Sequence, residues 1–112
     1  MQVGDLVGKL TLFKFSEEIR PDLPLFQIYK DEVWALVTGV DNEGIWIENP
    51  EYELGVWWDE KGNLIPPHKQ VKEKVKTHIL IPWHYIKVLM SVADERFQKA
   101  KSERLPGFQA YK

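Results

Sequence analysis

The chain has 112 residues, with 15 Lys and Arg against 17 Asp and Glu, no Cys and 44% hydrophobic residues. That length fits one domain, large enough to bury a core without metals or disulfides. The absence of Cys excludes a disulfide scaffold, thiolate metal sites and a cysteine nucleophile, and no apolar run approaches the ~20 residues that span a bilayer.

Met1-Gln2-Val3-Gly4-Asp5 has no basic start ahead of a hydrophobic stretch, so no signal peptide is expected, and the expected location is cytoplasmic. Gly4 and Gly8 argue against a helix, and the partial alternation of Leu6 to Phe15 predicts a first strand around Lys9 to Phe15. Ser16 to Leu25 carries Pro21 and Pro24 amid charges and reads as a loop, opened by one helical turn at Ser16 to Ile19. Phe26 to Tyr29 reads as a short strand or a packed loop.

Glu32 to Val40 is the clearest strand, rich in β-branched and aromatic residues. Asp41-Asn42-Glu43-Gly44 supplies hairpin chemistry, with Asn and Gly able to take positive φ. Ile45 to Glu48 returns as the partner strand, and Asn49-Pro50 stops it. A second hairpin is expected from Leu54 to Trp58 and Asn63 to Ile65, around the turn Asp59 to Gly62. Gln70 to Ile81 alternates, with Val71, Val75, Ile79 and Ile81 on one face and Lys72, Lys74, Lys76 and His78 on the other. Pro82 ends it, Trp83-His84-Tyr85 forms a tight turn, and Ile86 to Met90 is a last strand. Ser91-Val92-Ala93-Asp94 reads as a capping box for a helix to about Arg104, with a thin apolar face that includes Phe97. Pro106-Gly107 stops it.

Five or six short antiparallel strands and a C-terminal helix predict a mainly β fold, a small strongly bent β-barrel. The expected domain is residues 1–90 with an inserted hairpin and loop at about 49–78. The helix at 91–105 docks on the barrel or a partner, and 106–112 is a tail. Val33-Trp34-Ala35-Leu36-Val37-Thr38-Gly39-Val40-Asp41 with Gly44-Ile45-Trp46-Ile47-Glu48 resembles the bent hairpin of Sm-like barrels. Ile79-Leu80-Ile81-Pro82-Trp83-His84-Tyr85-Ile86-Lys87-Val88-Leu89 resembles their late strand pair. The same stretch is similar to the final turn of Src-homology-3 domains, and Trp57-Trp58 to their tryptophan pair. The resemblance covers about residues 33–48 and 79–89 and implies an architecture, not a function.

Charge divides along the chain: residues 1–60 carry a net of −9 and residues 61–112 a net of +7. Either the halves interleave in space and cancel, or they leave a dipolar surface that favours self-association or an anionic partner. His68, His78 and His84 match no metal-ligand spacing. Ser16, Ser91 and Ser102 lie in no nucleophile elbow, and no Gly-rich phosphate cradle is present. The paired carboxylates Asp59-Glu60 and Glu17-Glu18 fall in predicted turns, and acid–base catalysis needs a carboxyl removed from water. No catalytic residue, metal or cofactor is therefore expected, and the chain is read as non-enzymatic, with an enzyme of unrecognised type as a second alternative.

The five Trp are the most informative feature. Consecutive Trp57 and Trp58 point to opposite faces of a strand, so one core cannot take both. Either a second surface uses the outer one, or Tyr52, the helix or the 16–28 loop covers it. The leading expectation is an interaction or assembly module acting on itself or another protein through Trp57, Trp58, Trp83 and Tyr85. The alternative is an Sm-like RNA-binding protein using Lys72, Lys74, Lys76 and His84. Against the alternative, lysines on an edge strand also block edge-to-edge aggregation.

Overall fold

The structure is a computed structural model and describes residues 2–103. Five strands form one antiparallel sheet: β1 (Leu10–Phe15), β2 (Glu32–Val40), β3 (Gly44–Val56), β4 (Val71–Pro82) and β5 (Ile86–Ser91). Their order across the sheet is β4-β3-β2-β1-β5. One helix, α1 (Glu95–Glu103), follows. The expected tail at 106–112 and the end of the expected helix at 105 lie outside the described residues.

The expected barrel does not form. The sheet is open and not strongly curled, and β4 and β5 are its two edges. β4 pairs along its length with β3 and β5 pairs with β1, but no ladder joins the outer edges of β4 and β5. The Sm-like and Src-homology-3-like resemblance therefore fails at closure, although the strands it rested on are present. Short hydrophobic strands and a tight last turn are shared by open and closed sheets, so those residues did not discriminate between them.

Alternation sends Phe13, Phe15, Val33, Val37, Ile47 and Ile81 into one buried face. Phe13 and Phe15 stack there at 6.5 Å. The cover is the segment expected to be a loop, which is a 3₁₀ run over Glu17–Phe26 with Ile19 and Leu23 buried. Pro21 and Pro24 sit inside it, because the φ that proline enforces is also the φ of a 3₁₀ turn.

α1 lies on the opposite face, over β1 and β2. The Phe97 ring sits 5.5 Å from that of Trp34. The Leu10 N–H donates to Gln98 Oε1 at 2.6 Å, and Gln98 Nε2 donates back to the Leu10 carbonyl at 2.9 Å. The helix begins later than the capping box implied. Ser91 is the last residue of β5, and its buried hydroxyl has no hydrogen-bond partner. Asp94 caps instead: its Oδ1 accepts from the Arg96 N–H at 2.9 Å. The Arg96 guanidinium and then its backbone N–H hold the Asp94 carboxyl below the usual carboxylate range.

Gly44 is required for space rather than for turn geometry. A Cβ there would meet the Ile81 carbonyl across the β3–β4 ladder at 2.1 Å. Positive φ falls instead at Gly62, in the second turn, with φ 82°. Replacing Gly44 by Ala should push β3 and β4 apart and cost about 1–3 kcal/mol. Chemical denaturation checks this, and an unchanged midpoint refutes the close approach.

Candidate interaction surface

β3 and β4 outrun the rest of the sheet. β2 pairs with β3 only from Val40 opposite Ile45 to Leu36 opposite Glu48. The β3–β4 ladder continues to Val56 opposite Val71. Beyond Asn49 the two strands form a two-stranded arm over the stretch expected as an inserted hairpin and loop. Pro50 does not stop β3, contrary to expectation. The register shifts between Asn49 and Tyr52, and this bulge accommodates a residue that has no N–H to donate. The Glu51 N–H donates to Asn49 Oδ1 at 3.0 Å and steadies the bulge.

The 3₁₀ cover holds the base of the arm. Gln27 adopts φ 60°, in the left-handed region, at the end of the run. Its side-chain amide brackets one residue of β3: the Glu53 N–H donates to Gln27 Oε1 at 2.9 Å, and Gln27 Nε2 donates to the Glu53 carbonyl at 2.8 Å. The Tyr52 hydroxyl donates to the Leu25 carbonyl at 3.0 Å. No sequence signal marked Gln27, because an amide bracket depends on tertiary placement.

The tip turns at Asp59, whose Oδ1 accepts from the N–H groups of Lys61 and Asn63, both at 2.9 Å. The expected second hairpin shrinks to a single bridge between Trp58 and Leu64. Neither adjacent tryptophan enters the core, and neither Tyr52 nor α1 covers them. Trp57 is 58% exposed and Trp58 60%, beside Leu64 at 62%. Trp57 folds back over Gly55, where a Cβ would lie 2.7 Å from the indole nitrogen.

Trp83 and Tyr85 do not join them. Both pack partly buried against the core at the far end of β4. The twelve residues of β4 stand between, roughly 40 Å of strand. Trp83 Nε1 donates to the Asp41 carbonyl at 2.9 Å. The His84 and Tyr85 rings lie 4.0 Å apart beyond the end of β4, about 20 Å of strand from Lys76.

The lysine row is neutralised by its neighbour strand. Lys72 pairs with Glu53 at 4.0 Å, Lys74 with Glu51 at 3.7 Å and Lys76 with Glu48 at 3.8 Å. His78 reaches the same Glu48 carboxylate at 3.4 Å. The acidic half and the basic half thus meet on adjacent strands, which is the interleaving the charge split allowed. The barrel module and the Sm-like RNA-binding alternative both fall here, since the barrel is open and the cationic row faces a matching anionic one. Among the described residues no three His, Asp or Glu side chains gather to hold a metal. No helix of the described residues is long and apolar enough to cross a membrane.

With this geometry in view, comparison with known proteins gives no match: no family model, no curated protein and no solved structure is similar to the chain.

Two outcomes follow. Replacing Gln27 by Ala removes both bonds of the bracket, so amide exchange should quicken at Glu53 and outward along the arm while β1 and β2 stay protected. Uniform loss of protection would refute a local clamp. In the other hairpin, the N–H groups of Glu43 and then Gly44 hold the Asp41 carboxyl below its ordinary 3.8. A depressed folded pKa contributes stability above 3.8 that disappears as the pH falls through the folded value. An Asp41→Asn variant should therefore lose less stability than the wild type on acidification below pH 3.8, read by thermal unfolding.

Proposed function

We propose that the chain is a non-catalytic docking domain that binds a protein partner through the β3–β4 arm, with Trp57 and Trp58 as its anchors. One observation carries this reading: two adjacent tryptophans stand 58% and 60% exposed on a projecting arm. Tryptophan is enriched among the residues that dominate binding energy. Burying one such side chain gains on the order of 2–3 kcal/mol, which water otherwise withholds. Leu64 bridges Trp58, and Leu54 and Val71, on the face opposite Trp57 and Gly55, make both sides of the arm apolar.

The body of the sheet is the support. The Gln27 bracket and the Tyr52 hydroxyl fix the arm's base, so the anchors are presented on a two-stranded ribbon rather than on a loose loop. Trp83 and Tyr85 leave the surface and serve the core. A protein partner fits better than a nucleic acid, because the row Lys72, Lys74 and Lys76 already faces carboxylates.

Site-specific photo-crosslinking in cells tests the reading. A photoreactive residue in place of Leu64 should yield discrete protein adducts, and one in place of the exposed Lys87 on β5 should not. Adding Trp57→Ala and Trp58→Ala should abolish the Leu64 adducts with little change in melting temperature. Equal adducts from both positions refute the arm as the docking element.

A further inference from the structure

The outer face of β3 and β4 is built from two stripes of opposite sign. Glu48, Glu51 and Glu53 line β3, and Lys76, Lys74 and Lys72 line β4 beside them. Apolar groups bound the stripes: Trp57 over Gly55 at the tip, and Trp46 opposite Leu80 at the body end. Leu36 on β2 pairs with Glu48, and Trp34 alternates with Leu36, so α1 sits on this same face over β1 and β2.

Two such faces can be related by a two-fold axis in three ways. An axis normal to the sheet joins two β4 edges and brings the lysine-bearing strands together. An axis lying across the strands sets glutamates over glutamates and lysines over lysines. An axis parallel to the strands, between β3 and β4, sets each glutamate stripe over the other copy's lysine stripe. That same axis keeps height along the strand unchanged, so Trp57 meets Trp57, and Trp46 and Leu80 meet their own copies. It also carries the second copy's β2, β1 and α1 out beyond the β4 edge, clear of this chain's helix.

Resting on the docking reading above, we infer that the arm's partner is a second copy of this chain, packed face to face about a two-fold axis parallel to β3 and β4. Charge complementarity selects the orientation, and the tryptophan ends supply the apolar contact. Exposed ion pairs are weak singly, so the stripes lose little by exchanging partners between copies. The face is two strands wide and roughly 30 Å long, smaller than a standard stable interface, so the dimer is weak and transient.

Exchanging the stripes tests this. A variant with Glu51→Lys, Glu53→Lys, Lys72→Glu and Lys74→Glu keeps every pairing within the chain and remains matched to itself, but is mismatched to the wild type. In sedimentation equilibrium, wild type and variant should each dimerise with similar strength. Native mass spectrometry of an isotopically labelled mixture should then show two homodimers and almost no heterodimer. Heterodimers at the statistical proportion overturn the inference. If the exchanged variant does not fold, Lys74→Glu and Glu51→Lys taken singly serve instead. Each should weaken self-association several-fold, and mixing them should restore it, while no recovery on mixing overturns the inference. A wild type that stays monomeric at hundreds of micromolar also overturns it. Leu64 crosslinks to a different protein would then keep the docking reading alive, and their absence would end both.

Discussion

The sheet is longer than its cover. Alternation along β3 and β4 keeps one face inward, and that face stays inward only where something lies over it. Ile45, Ile47 and Asn49 are buried, and Leu54, on the same side of the ladder, is exposed. The boundary falls at the bulge after Asn49, where β2 has already ended. Body and arm are therefore one continuous ladder divided by how far the core cluster reaches along it. The position of the candidate surface follows from that reach, and so does its apolar character, since the pattern that builds the core continues past it.

A strand that loses its neighbour keeps its polar backbone, and those groups need partners. Two glutamines meet this need. Gln27 at Glu53 and Gln98 at Leu10 each offer one carbonyl and one amide N–H, the same pair that an adjacent strand would offer. At Gln27 the bracket requires a left-handed backbone, a strain of roughly 1–2 kcal/mol for a residue with a Cβ. Gln98 makes a third bond, to the Val92 carbonyl at 2.8 Å, and so ties the start of α1 to the sheet as well. Helix and arm, the two outlying parts of the molecule, are attached by the same chemistry.

Local elements were readable in the sequence because they depend on local rules. Glu32–Val40 has the bounds its β-branched run implied, and Val71–Pro82 follows the alternation of Val71, Lys72, Glu73 and Lys74. The turn at Trp83–Tyr85 was visible from Pro82. Closure was not readable, because it depends on whether two edges meet, and no residue pattern reports that distance. Pro50 misled for a related reason: it forbids a regular ladder but permits a bulge. Ser91 misled because a strand end and a helix cap favour overlapping residue types, and the acidic cap lay three residues on. Of the candidate surface, one outward tryptophan of the adjacent pair was legible from strand alternation; the exposure of both was not, because it depends on the arm having no core beneath it. The separation of Trp83 and Tyr85 from it was not, because that depends on which end of a twelve-residue strand each occupies.

The pairing of β1 with β5 has a consequence for how the molecule comes into being. Leu12 lies opposite Met90, so one edge of the sheet closes a loop of nearly eighty residues. Such long-range contacts slow folding, because chain entropy is lost well before the contact is made. During synthesis β1 is complete early, and β2 can join it at once, since Phe13 pairs with Val33. The other side of β1 must wait until Ile86–Ser91 has left the ribosome. In that interval Phe13 and Phe15 belong to a strand with one open edge, and the nascent chain is most exposed to mispairing there.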